Sequence, residues 1–173
     1  MNIIRYEIAN QHGDLISITN FGARLISWTT IVDQHPRNII LGYQNLSDYL
    51  ADISFMGAIV GPYANRISGA SYQINEKLYP LDANEDEHQL HGGSNALASI
   101  FWQCTEQKND TLTLECHLAD GFNGYPGDMT ICVRYALSSN SELTIEINVH
   151  SARTTVAGPT THPYFNLNQD NSE

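Results

Sequence analysis

His162 stands in the run Thr161-His162-Pro163-Tyr164-Phe165-Asn166-Leu167, which sets an imidazole beside two aromatic rings and an amide near the end of a 173-residue sequence. Histidine is the side chain whose unperturbed pKa lies closest to neutrality, so this one is a candidate proton donor. Tyr164 and Phe165 offer ring faces of the kind that pack against the C–H face of a sugar, and Asn166 both donates and accepts. The plain alternative is a turn residue with a satisfied ring, because the position before a proline is biased away from helix. Chain ends fray unless tied down, whereas a proton-transfer group must be held rigidly. If His162 is catalytic, residues 1 to 173 are expected to stop inside an active site.

A second imidazole cluster, Glu87-His88-Gln89-Leu90-His91-Gly92-Gly93, leaves three readings. H-x-x-H binds metal most naturally on a helix, and Gly92-Gly93 disfavours a helix here. The others are solvated loop histidines, or His91 directed into a ligand pocket with the double glycine letting backbone approach a substrate. Arg66, in Gly61-Pro62-Tyr63-Ala64-Asn65-Arg66-Ile67, is either half of a surface ion pair or a fork of donors for hydroxyl or oxyanion oxygens. His12, His35, His117 and His150 fall in turns or on polar strand faces and read as solvated.

The elements that must position these groups have a period of two. Thr111 to Leu118 alternates, and Glu142 to His150 sets Leu143, Ile145, Ile147 and Val149 on one face against Thr144, Glu146, Asn148 and His150 on the other. Further strands are expected near Ile3 to Ile8, Leu15 to Thr19, Arg24 to Val32, Ser71 to Ile74, Lys77 to Leu81, Ile100 to Gln107 and Thr130 to Leu137. Turns are expected at Gln11 to Asp14, Asn75-Glu76, Asn109-Asp110 and Ser138 to Ser141, and one short helical turn at Ser47 to Leu50. Such a pattern implies an antiparallel β-sandwich or barrel. Two irregular stretches, Asn84 to Ala98 and Ala119 to Asp128, are long enough to be functional loops.

Eight Lys and Arg against nineteen Asp and Glu give a net charge of -11, which disfavours nucleic acid and anionic membranes as partners. Uncharged sugars are unaffected by it. The N-terminus lacks a signal-peptide pattern and no apolar run is long enough to span a bilayer, so a cytoplasmic location is expected. Three widely spaced cysteines suggest neither a disulfide framework nor a thiolate metal site, and Cys116 reads as a core residue beside Leu112, Leu114 and Leu118.

Four segments in order, Ala64 to Ile67 (A-N-R-I), Leu90 to Gly93 (L-H-G-G), Gly124 to Gly127 (G-Y-P-G) and His162 to Leu167 (H-x-Y-F-N-L), resemble the aldose 1-epimerase (galactose mutarotase) family. Asn20-Phe21-Gly22-Ala23 resembles it too, whereas Pro62 stands where many members have arginine. The resemblance implies an all-β fold, a large antiparallel β-sandwich, with residues 1–173 forming the N-terminal portion of a single such domain. It implies interconversion of α and β anomers of an aldohexose such as glucose or galactose, with no metal and no organic cofactor. It further implies that His162 is the general acid toward the ring oxygen, that His91 and Arg66 bind and polarise the sugar, and that Asn65 belongs to the same binding segment.

In the family the general base is a glutamate, and with a sugar-binding aspartate it lies in the later half of a longer chain. Asp128 and Glu115 are poor substitutes, one following a turn and the other on a polar strand face. The isolated 173 residues are therefore expected to be inactive and to need a chain carrying the C-terminal half, or a homo-oligomer, to cover open strand edges. The alternative is a catalytically inactive carbohydrate-binding or regulatory module. A hexose-phosphate epimerase of related fold is disfavoured by Leu90 to Gly93 and by the acidic charge.

Overall fold

The computed structural model describes residues 2 to 167; the expected loop from Gln169 to Glu173 lies outside them. The first sheet is an antiparallel meander of β1 (Arg5–Ala9), β2 (Leu15–Thr19), β3 (Leu25–Val32) and β4 (His35–Asn38). Short pairs follow, with β5 (Ile59–Val60), β6 (Arg66–Ile67), β7 (Ser71–Ile74), β8 (Lys77–Pro80) and β9 (Gln89–Leu90). The second sheet orders β10 (Gln103–Gln107), β11 (Thr111–Leu118), β12 (Met129–Leu137) and β13 (Leu143–Ser151), and β14 (Thr160–Thr161) returns to pair with β5. Helix is limited to short 3-10 turns such as Leu46–Ala51, where a turn was expected.

Alternation explains the packing. In β12 every second residue, from Met129 through Ile131, Val133 and Tyr135 to Leu137, is buried. They meet Ile8, Ile16, Ile18 and Leu25 of the first sheet in one core, as in a face-to-face sandwich. The Tyr135 hydroxyl donates to the Ala23 carbonyl at 2.6 Å, which satisfies the one polar atom that this ring carries into the core. Cys116 is buried there as expected.

The strands differ from the sequence reading at their ends and in the short pairs. Regular pairing in β10 starts at Gln103, not Ile100, and is broken by a bulge between Cys104 and Glu106. β4 was not foreseen because Pro36 lies inside it; as an edge strand it tolerates the missing donor. The two-residue strands β5, β6, β9 and β14 are too short to show any period.

Candidate active site

Those four short strands assemble the site. β6 pairs with β9 through Arg66↔Leu90 and Ile67↔Gln89, so the Arg66 segment lies beside the His91 segment. β14 pairs with β5 through Thr160↔Val60 and Thr161↔Ile59. Immediately afterwards the His162 N–H donates to the Ala58 carbonyl at 2.8 Å and the His162 carbonyl accepts from the Gly57 N–H at 2.9 Å. His162 is thus pinned on both sides of its Cα.

A cavity of about 490 Å³ opens where these segments meet, its lining including Ser54, Phe55, Asn65, Arg66, His91, His162 and Tyr164. Its size suits a small-molecule ligand. A larger concavity of about 1190 Å³, around Glu7, Asn10, Gln107, Lys108 and Asp110, carries neither an imidazole nor an aromatic ring among its lining residues. The two imidazoles, the guanidinium of Arg66 and the aromatic rings of Phe55 and Tyr164 meet in the smaller one.

The two imidazoles meet edge to face, their centroids 5.4 Å apart at 85°. Phe55 lies 4.8 Å from the His91 ring and 6.2 Å from the His162 ring, and Tyr164 packs 5.3 Å from His162. The Tyr164 hydroxyl donates to the Ser54 carbonyl at 3.0 Å, fixing that ring in place. Burial, and then the positive charge that His162 and Arg66 can present, hold the His91 pKa below the ordinary imidazole value, with Glu85 acting in the opposite direction. His91 is accordingly neutral near pH 7.

Arg66 takes the surface ion-pair reading. Its Nε and Nη2 form a fork on the Glu85 carboxylate at 2.5 and 2.7 Å, and its Nη1 donates to Asn65 Oδ1 at 3.2 Å. The fork holds the guanidinium at the cavity wall. Three lining residues outside glycine, Phe55 (φ 59), Asn65 (φ 62) and His91 (φ 52), sit in the left-handed region. Backbone of this kind costs about 1–3 kcal/mol per residue and clusters at functional sites.

Some expectations need correction. The double glycine after His91 serves protein packing: Gly92 has φ +90, and a Cβ there would fall 2.1 Å from the Gly61 carbonyl oxygen. Gly92→Ala is expected to cost more than about 1 kcal/mol, read as a lowered urea midpoint at unchanged slope. Of the two aromatics after His162, only Tyr164 lines the cavity; Phe165 bridges to Ile40 instead. Asn166 is tied through its N–H to the Ile39 carbonyl at 2.9 Å. His88 accepts the Gly69 N–H on Nδ1 at 3.1 Å and stays outside the cavity. No group of ligating side chains able to hold a metal occurs among the described residues.

Sequence reasoning missed Ser54, Phe55, Thr160 and the Arg66 partner Glu85. A signal for the Ser54-Phe55 loop was present in Arg24, a cation inside the apolar run Ala23 to Ile26, which demanded a buried partner. That partner is Asp52, at 2.7 Å, two residues before the loop's first cavity residue.

A family model described as aldose 1-epimerase matches residues 5–173. The chain belongs to the aldose 1-epimerase family. It is 32% identical over 160 residues to an aldose 1-epimerase of Haemophilus influenzae, an alignment covering 92% of this chain and 46% of that protein. It is also 32% identical over 151 residues to the galactose mutarotase of Sus scrofa, covering 83% and 44%. The solved structure of a GalM/aldose epimerase homologue from C. elegans superposes with a TM-score of 0.93 at 27% identity, covering 98% of this chain and 52% of that one. This epimerase-family chain spans about half the length of the curated relatives it matches. The all-β antiparallel fold expected from the period-two pattern is the fold these relatives share. No helix among the described residues is long and apolar enough to cross a membrane.

Proposed function

We propose that this chain supplies the acid side of an aldose 1-epimerase site acting on an aldohexose such as glucose or galactose. The observation that carries this reading is the pairing of His91 and His162, edge to face, in one cavity with Arg66 and two aromatic rings. Opening a cyclic hemiacetal needs a proton delivered to the ring oxygen while another leaves the C1 hydroxyl. After rotation about C1–C2, the C5 hydroxyl attacks the other face of the aldehyde and the two proton transfers reverse. His162 is the acid at the ring oxygen. His91, neutral, donates a hydrogen bond that polarises a sugar oxygen, Arg66 and Asn65 grip hydroxyls at the rim, and Phe55 and Tyr164 pack against C–H surfaces.

The base is a different matter. No carboxylate lines this cavity among the described residues, since Glu85 sits behind Arg66 and forks onto it. We therefore expect the protein of residues 1–173 to bind aldohexose without accelerating mutarotation until a carboxylate is supplied by further protein. The outer edge of β13 is unpaired among the described residues, and Leu143, Ile145, Ile147 and Val149 on its core face are only half-buried. Such an edge favours association.

Titration with galactose or glucose, followed by the His91 and His162 ring resonances, tests binding; polarimetry of the pure α-anomer tests turnover. Shifts at both rings, with turnover appearing on complementation by the later half of a family member, are the expected result. Unmoved histidine resonances at saturating sugar would overturn the reading. The absence of a lining carboxylate among the described residues also favours a second reading, a carbohydrate-binding module of the same fold. It predicts the same ring shifts and no turnover under any complementation.

A further inference from the structure

His91 is held by more than its own loop. Its main-chain N–H donates to the Asn65 carbonyl at 3.0 Å, and the Asn65 N–H donates back to His91 Nδ1 at 3.0 Å. A backbone amide nitrogen cannot accept, so Nδ1 must present its lone pair and the neutral ring carries its hydrogen on Nε2. The group this ring offers the cavity is a donor. This reciprocal grip is made with left-handed backbone at both partners, φ 62 at Asn65 and φ 52 at His91, a conformation uncommon outside glycine that the surroundings here hold in place.

The enforcement comes from outside the cavity. On the N-terminal side of His91, the buried Gln89 accepts the Tyr125 hydroxyl on Oε1 at 2.5 Å and donates through Nε2 to the Asp82 carbonyl at 3.0 Å. On the C-terminal side, Asn123 Nδ2 donates to the Gly92 and Ser94 carbonyls, each at 2.8 Å. Tyr125 is fully buried, so its hydroxyl has no water to turn to. Two residues of the 119–128 loop thereby grip the chain on both sides of His91 while standing outside the cavity lining.

We propose that the Asn65 main chain fixes His91 as the Nε2–H tautomer, a hydrogen-bond donor to a sugar oxygen and not a base, with Tyr125, Gln89 and Asn123 as the positioning residues that keep it so. The donor role rests on the epimerase reading of the cavity; the tautomer and its support do not. The two histidines then divide the work, His91 donating without releasing its proton and His162 transferring one. The titratable and charged groups facing His91 are His162, Arg66 and Glu85, and none of them reaches Nδ1, which the Asn65 amide occupies.

The test uses ¹⁵N-labelled protein of residues 1–173 at about pH 8, where an imidazole of ordinary pKa, about 6.5, is neutral. Two-bond ¹H–¹⁵N correlation reads the His91 tautomer, and hydrogen exchange reads the Asn65 amide. The parent is expected to show the Nε2–H form alone. Tyr125→Phe and Asn123→Gly, the latter compatible with the positive φ at that position, are each expected to bring in the Nδ1–H form and to speed Asn65 exchange about tenfold, the loss of one hydrogen bond's worth of protection. Asn65→Gly keeps both the amide and the backbone region and should leave the tautomer unchanged. The His117 ring, bonded to Thr130 at 3.0 Å on the outer sheet face, reports that each variant is folded.

An Nδ1–H or mixed parent overturns the proposal, and so does an unchanged tautomer and exchange rate in the folded variants; if one variant fails to fold, the other decides. A parent with the Nε2–H signal intact but no response to sugar would overturn the functional reading alone. An Nδ1–H ring in a protein that binds sugar would overturn this inference alone.

Discussion

Replacing His162 by alanine, in protein whose carboxylate has been supplied, is expected to slow mutarotation by a factor on the order of 10²–10⁴, the usual share of a positioned general acid. The loss should fall on kcat more than on KM, because a proton delivered to the ring oxygen matters most in the transition state. The cavity wall should survive the change: His162 is anchored by main-chain bonds to Ala58 and Gly57 that alanine also makes. His91 loses an edge-to-face neighbour and a potential positive charge, so its pKa should move back toward the ordinary imidazole value. Polarimetry of the pure α-anomer measures the rate. A variant within threefold of the parent would remove His162 from the role of acid.

The second large effect is on stability and lies beneath the cavity. Arg24 and Asp52 form an ion pair at 2.7 Å with side chains 1% and 0% exposed. Arg24 also donates to the Met56 and Ala98 carbonyls and lies over the Phe21 and Tyr49 rings. Asp52 accepts from Tyr43, Ser54 and the Met56 N–H. Asp52→Ala strands a guanidinium in the core and is expected to cost on the order of 3–5 kcal/mol, the penalty of breaking a buried pair from one side. It should also loosen the Ser54-Phe55 loop, because three of the lost bonds hold residues 54 and 56. Urea unfolding gives the first number, and line broadening of the Phe55 ring the second. A loss below about 1 kcal/mol would mean that water reaches Arg24.

The same pair sets a pH dependence. Burial raises the Asp52 pKa, but hydrogen bonds from Ser54, Arg24 and Tyr43 and the Arg24 charge outweigh it, leaving the folded value below the ordinary 3.8. Its contribution is therefore complete above that value and disappears as pH falls through the lower folded pKa. In the Asp52→Ala protein the acid limb of the stability profile should be correspondingly flatter.

The sequence by itself determined the long strands. Thr111–Leu118 coincides with the segment expected from alternation and Leu143–Ser151 is shifted by one residue from the expected Glu142 to His150, because in a half-buried strand the period of two is written directly by which side chains leave water. Leu15–Thr19 and Ser71–Ile74 also fall where strands were expected. The turn residues between those runs also fell where they were expected. The motif residues pointed to the family, and Arg66, His91 and His162 do line one cavity, although no local rule predicts that they should.

Only the tertiary structure decided how they meet. The strands that join them are two residues long, too short for any periodicity, and exist because Arg66 finds Leu90 and Thr161 finds Ile59 across long loops. The tautomer of His91 was equally hidden, since it depends on a backbone amide that any residue except proline would carry at position 65 and on a left-handed turn held from residues 123 and 125. Asp52 and Phe55 carry no motif. Their importance comes from burial beside Arg24 and from ring contacts with both histidines, long-range facts that a linear pattern does not encode.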